Sequence, residues 1–247
     1  MMLIGAAQTA FAEPPGFVSP NPNDMPPSFE RDVESRSTDP DRPPAYGPED
    51  AKVLVVIFAD YMCPACRRGS QANHRIAAEY PGEVRMEFWN NPLVMHQGAD
   101  LLAIAGLAAQ RQGKFWEMSD LLFKEPKRDL ESVEQKAGEL GLDMDQFRKD
   151  MQDPALRQRM EEERSLAEAL GATSTPSYLV NGKIYSGWGS WQSLKSKVEL
   201  ELKAANELAA QGMTPSEIRA QRAIDNNSDS AVYELYVNNI LLAENRP

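Results

Sequence analysis

Residues 51–66 read AKVLVVIFADYMCPAC, and this stretch decides the fold. At Ala51 the texture changes abruptly from a proline-rich segment to a continuous β-branched and apolar run of strand length. Such a run lacks the alternation of a half-exposed strand and predicts a strand covered on both faces. It leads straight into Cys63-Pro64-Ala65-Cys66 and then RRGSQANHRIAAEYPG, a helical stretch stopped by Pro81-Gly82. VRMEFWNNPL follows as a second strand, ended by Asn91-Pro92. Strand, helix and strand in this order form a β–α–β unit, which implies a right-handed crossover and parallel strands.

The strand-to-helix junction is where the chemistry points. The chain holds two cysteines, three positions apart, so no disulfide framework braces the fold and the pair is free to react. A helix start aims unsatisfied N–H groups and the positive end of its dipole at the first sulfur, which should lower the pKa of Cys63. The thiolate is the nucleophile in thiol–disulfide exchange. Cys63 is therefore expected as the attacking and leaving sulfur, with Cys66, one turn inside the helix, resolving the mixed disulfide. Pro64 suits the first turn, where a missing N–H costs nothing. Read instead as half of a zinc site, the pair would need two further ligands. Only His74 and His96 are available, at spacings unlike closed zinc sites, so neither metal nor other cofactor is expected.

Working outward, Gly98 to about Gly171 is a helical block punctuated by Gly113, Pro126, Gly141 and Pro154. Next, TSTPSYLV and KIY flank Asn181-Gly182, a strong hairpin signal, with Thr175-Pro176 just before the first of these strands. A helix of some 20 residues begins at Ser190 and ends at Gly212, and Thr214 is a plausible N-cap for another. The final apolar stretch around Tyr233, Tyr236 and Leu241 reads as docking on its own domain rather than as a dimer surface. Upstream, residues 13–50 hold ten of the 18 prolines and few large aliphatics, as in a linker or loosely wrapped arm. Residues 1–12, ending in Ala10-Phe11-Ala12, resemble the end of a secretory signal, although no positive charge precedes Arg31. The expected organisation is a signal-like segment 1–12, an arm 13–50, an α/β domain 51–200 with its helical insertion at about 98–171, and an extension 201–247.

The net charge of −11 argues against a nucleic-acid partner, because phosphate is bound by surplus Lys and Arg. No run of 18 apolar residues occurs, so no helical membrane span is expected in the mature chain. An oxidising, exported or periplasmic setting suits a redox-active pair.

The order of elements and the phrases GPEDAKVLVVIFADYMCPACRR, GKFWEMSDLLF and TSTPSYLVNGK resemble the DsbA-like branch of the thioredoxin superfamily over roughly Glu49 to Leu200. The resemblance implies a thioredoxin fold with a helical insertion between the β–α–β unit and the C-terminal hairpin; the C-terminal helical extension beyond it is read from the residues themselves. It implies a cis Thr175-Pro176 bond against the active-site pair, with the Thr175 backbone binding an extended substrate segment by β-augmentation. The partners implied are protein or peptide thiols and disulfides and a separate redox partner. Two departures stand out. Relatives carry a buried acid six positions before the first cysteine, where this chain has Ile57, and Ala65 replaces the histidine of strongly oxidising members. Ala65 offers the thiolate neither cation nor side-chain hydrogen bond, so Cys63 should be less acidic than in DsbA. Pro64 and Ala65 are thus supporting residues only.

Other side chains read more plainly. Asp60 is a solvated strand-end residue or a stand-in for the missing acid; His74 is a solvated helix residue; His96 caps or packs. Trp89, Phe115 and Trp116 are core anchors, Arg67 and Arg68 add weak positive charge, and Glu161-Glu162-Glu163-Arg164 is a solvated helix face. A different function, peptide binding or redox sensing without turnover, remains compatible with the same fold. Isomerisation ranks last, because the arm does not look like a dimerisation domain.

Overall fold

A computed structural model describes residues 36–37, 39–124, 127–187 and 189–241; the signal-like segment, arm residues 13–35, Pro126 and Trp188 lie outside the described residues. The first strand of the motif, β3 (Val53–Ala59), lies between β4 (Val84–Asn90), its parallel partner, and β5 (Ser177–Val180), its antiparallel one. The whole sheet runs β1-β2-β4-β3-β5-β6, with β1 at Arg36–Ser37, β2 at Ala45–Tyr46 and β6 at Lys183–Ser186. Helix α1 (Pro64–Glu79) is the crossover. The insertion supplies α2 (Ala99–Gln110), α3 (Phe115–Lys124), α4 (Leu130–Glu139), α5 (Met144–Met151) and α6 (Pro154–Ala169). After the hairpin come α7 (Trp191–Ala209), α8 (Pro215–Asn226), α9 (Ser230–Tyr236) and a π-helical turn, Val237–Leu241. Among the described residues no helix is long and apolar enough to cross a membrane.

All seven residues of β3 are buried because both faces of the sheet are covered, which is why the sequence shows no alternation. Val53, Val55 and Ile57 pack with Ile76 of α1, Leu102, Phe115 and Val198. Leu54, Val56 and Phe58 face the other way, onto Ala167 of α6, Ala223 of α8 and the tail residues Tyr236, Ile240 and Leu241. The C-terminal tail thus covers the second face of its own sheet. Helix ends follow their caps: Asp129, Asp143, Asp153 and Ser190 each accept a backbone N–H of the next turn, and Thr214 with Glu217 forms a full capping box.

The sheet begins upstream of Ala51. Ala45 and Tyr46 pair with Glu87 and Met86 of β4, and the Tyr46 ring stacks on Trp116 with centroids 3.9 Å apart. The end of the arm therefore closes an edge of the sheet, which its prolines concealed. Gly47 then turns the chain at φ +85°, and a Cβ there would lie 2.2 Å from the Val84 carbonyl oxygen. Gly47→Ala is expected to lower the unfolding free energy by about 3 kcal/mol in chemical denaturation, since backbone strain and a clash with backbone add. An unchanged midpoint would mean that this edge contributes nothing.

The acidic run on α6 is not uniformly solvated. Glu163 is 4% exposed, and its Oε2 accepts the Asn90 backbone N–H at 2.8 Å and the Asn90 Nδ2 at 2.7 Å. Helical periodicity turns this one residue of the run toward the end of β4, while Glu162 stays exposed.

Candidate active site

After Ala59 the chain makes a tight turn before α1. Cys63 N–H donates to the Asp60 carbonyl at 3.1 Å, and Met62 N–H donates to Asp60 Oδ1 at 2.7 Å, an Asx-turn nested in a β-turn. The Tyr61 ring is buried against Phe88 and Phe123 and anchors the turn to the core. Cys63 is the N-cap residue, extended at φ −77° and ψ 121°, and Pro64 takes the first helical position as its fixed φ favours. Cys63 is 8% exposed and Cys66 is 2% exposed, and both are free thiols.

The two sulfurs are strongly unequal. Cys63 is held at a pKa of about 5, first by the hydrogen bond that the Cys66 thiol donates to it, with burial opposing and with Thr175 and the N–H groups of Cys66 and Ala65 adding support. Cys66 is pushed up, first by burial and then by its hydrogen bond and charge interaction with Cys63. Ala65 thus contributes through its backbone what its side chain cannot. A pKa of about 5 lies between the reference values of about 7 for thioredoxin and about 3.5 for DsbA.

Thr175 comes to this site from 112 residues away: Cys63 Sγ donates to the Thr175 carbonyl oxygen at 3.2 Å, and the Thr175-Pro176 peptide bond is cis. The sheet sets this contact, because Ser177 pairs opposite Phe58 and the residues before it run level with the turn after Ala59. The hairpin is pinned from its other end. Asn181 and Gly182 turn at φ 41° and 84°, and the fully buried Asn181 accepts Leu54 N–H at 2.8 Å and donates Nδ2 to the Lys52 carbonyl at 3.2 Å. Cys63, Cys66 and Thr175 thus meet at one place, with Pro176 next to Thr175 in the chain. Pro64 is exposed beside them and Ala65 is partly buried.

Ile57 is fully buried and pairs across the strands with Tyr178, so hydrocarbon stands where the family resemblance implies an acid. Tyr178 is 3% exposed and donates its hydroxyl to Asn73 Oδ1 at 3.3 Å; burial first, then the Cys66 charge, hold its pKa well above the usual value.

Asp60 is not a solvated strand end. It is 1% exposed: the turn folds its carboxylate inward, where Oδ2 accepts Leu93 N–H at 2.9 Å and meets His96 Nδ1 at 2.6 Å. His96 accordingly packs against the turn. A carboxylate-bearing residue two positions before a free N–H at a strand-to-helix turn is a legible Asx-turn signal. Its pairing with a histidine 36 residues on is not local and left no trace in sequence. Arg67 and Arg68 are exposed, and His74 lies on α1.

A family model described as Thioredoxin matches residues 39–200. The chain is 34% identical over 163 residues to Na(+)/H(+) antiporter NhaA 3 of Salinispora tropica, covering 65% of this chain but 25% of that protein, so it spans a quarter of the antiporter's length. It is 32% identical over 172 residues to the probable disulfide bond formation protein D of Bacillus anthracis, covering 64% of this chain and 77% of that protein. A thioredoxin-like oxidoreductase from Silicibacter pomeroyi DSS-3 is similar in structure, with TM-score 0.58 and 32% identity over 67% of this chain and 95% of that one.

Proposed function

The chain belongs to the thioredoxin family, among its DsbA-like thiol–disulfide oxidoreductases, and on that premise we propose that it exchanges disulfides with exported protein substrates through Cys63 and Cys66. One observation carries this reading: a first sulfur whose pKa is held at about 5 chiefly by the hydrogen bond from Cys66, with its thiol form 3.2 Å from the Thr175 carbonyl, beside a second that is buried and protonated. In the donating direction a substrate thiolate attacks Cys63 Sγ of the Cys63–Cys66 disulfide, and Cys66 leaves and takes a proton. A second substrate thiolate then attacks the substrate sulfur of the mixed disulfide and expels the Cys63 thiolate. In the opposite direction Cys63 attacks, and Cys66 resolves the mixed disulfide. A low leaving-group pKa at Cys63 stabilises the dithiol and favours donation.

Thr175 and Pro176 form the substrate platform in this reading. The Thr175 backbone lies beside the sulfur and reads main chain rather than sequence, which suits a catalyst of many substrates. Residues 51–200 are the catalytic unit, steadied by the arm and by the extension 201–247. A separate redox partner recharges the pair, in the periplasm or another exported compartment. The test is covalent capture with Cys66→Ser. Incubated with insulin, this variant should hold a mixed disulfide through Cys63 that dithiothreitol releases, while turnover falls about a hundredfold or more. A binding or sensing module without turnover would show the same negligible rate in wild type and variant.

A further inference from the structure

Asp60 contacts both cysteines through its backbone and three other groups through its side chain. Its carbonyl accepts Cys63 N–H at 3.1 Å and its N–H donates to Cys66 Sγ at 3.5 Å. Its carboxylate, 0% exposed, is fixed by Met62 N–H, Leu93 N–H and His96. Because the carboxylate only accepts, His96 Nδ1 must carry the hydrogen, leaving Nε2 for solvent on a side chain that is 25% exposed. A buried carboxylate needs such donors, and removing one leaves a charge that draws in water or turns away. The turn built on that carboxylate would then loosen, and with it the aim of Asp60 N–H.

The geometry points to Asp60 and His96 as a positioning pair for the resolving sulfur of Cys66. Cys66 must lose its proton before it can attack, and burial opposes that loss. The Asp60 N–H is a donor aimed at the Cys66 sulfur, so it stabilises the thiolate as it forms. Cys63 does not depend on it in the same way, since the groups that lower its pKa are Cys66, Thr175 and the N–H of Ala65. Loss of the pair should therefore slow resolution and spare attack.

This inference rests on the exchange reading above, and a two-step assay separates the two. Reduced protein is mixed with glutathione disulfide and acid-quenched, and the glutathionylated and oxidised forms are counted by mass spectrometry. In the first step the Cys63 thiolate attacks one glutathione sulfur, breaks the S–S bond and releases one glutathione thiolate. In the second, Cys66 gives its proton to solvent, attacks Cys63 Sγ and expels the other glutathione thiolate; the dithiol has lost two electrons and glutathione disulfide has gained them. His96→Ala should form the adduct at the wild-type rate and resolve it about tenfold more slowly, so that the adduct accumulates. His96→Asn, which keeps an N–H near the Nδ1 position, should resolve it at close to the wild-type rate. Asp60→Asn should resemble His96→Ala, and if it does not fold, the two His96 variants carry the test alone. Resolution at the wild-type rate in His96→Ala, or equal slowing of both steps, overturns the positioning role. Failure of wild type to form either the Cys63 adduct or the Cys63–Cys66 disulfide overturns the exchange reading itself.

Discussion

Replacing Cys63 by serine is expected to lower the rate of insulin reduction by dithiothreitol about a thousandfold or more, to the uncatalysed level. A serine hydroxyl at the same N-cap position meets the same donors: the Cys66 thiol and the N–H groups of Ala65 and Cys66. Those donors hold the thiol at about 5, well below its ordinary value, whereas a hydroxyl would need a far larger shift to ionise near neutrality. The variant should fold normally, because the Cys63 side chain makes one hydrogen bond outside its own helix turn, to the Thr175 carbonyl, which a hydroxyl can also make. Unfolding midpoints within about 0.5 kcal/mol of wild type, together with the lost rate, would place the defect in chemistry. Rates equal to wild type would remove Cys63 from the reaction.

The parts of this site that sequence made legible are those carried by local rules. Val53–Ala59 had to be buried on both faces, Cys63 had to cap a helix beginning at Pro64, and Asn181-Gly182 had to turn a hairpin. Each depends on residue type and near neighbours alone. Thr175-Pro176 was legible only through family resemblance, since an X–Pro bond is trans by default and nothing local ties it to a cysteine 112 residues away. Sequence leaves Asp60 open between solvent and interior and places Glu163 on a solvated face, because acids usually are exposed; both are buried because distant donors await them: Leu93 and His96 for the first, Asn90 for the second. Buried polar groups are satisfied by tertiary partners, and those partners are set by the fold as a whole. The arm misled for a related reason. Ala45 and Tyr46 have little strand signal of their own, and become a strand only because β4 offers an open edge and Trp116 a surface to stack on.

The pH dependence of the couple should carry the signature of one acidic sulfur. Below pH 5 both thiols of the reduced protein are protonated, so two protons accompany the two electrons and the potential falls by about 59 mV per pH unit. Above the Cys63 pKa of about 5 only Cys66 takes up a proton on reduction, and the slope should halve to about 30 mV. Cys66 introduces no second break below neutrality, because its own pKa is raised. The same asymmetry acts on stability. Cys63 has a folded pKa of about 5 against about 8.5 in an unfolded chain. Its stabilisation of the reduced fold is complete above about 8.5, shrinks as pH falls, and is gone below about 5. The disulfide form has no thiol to titrate, so the reduced protein should gain stability relative to the oxidised one as pH rises from 5 to 8.5. Potentials measured against glutathione and unfolding midpoints of both forms across that range check the two statements independently. A constant 59 mV slope up to pH 8, with parallel stability curves, would mean that Cys63 is an ordinary thiol and that the helix start and Cys66 do not hold its charge.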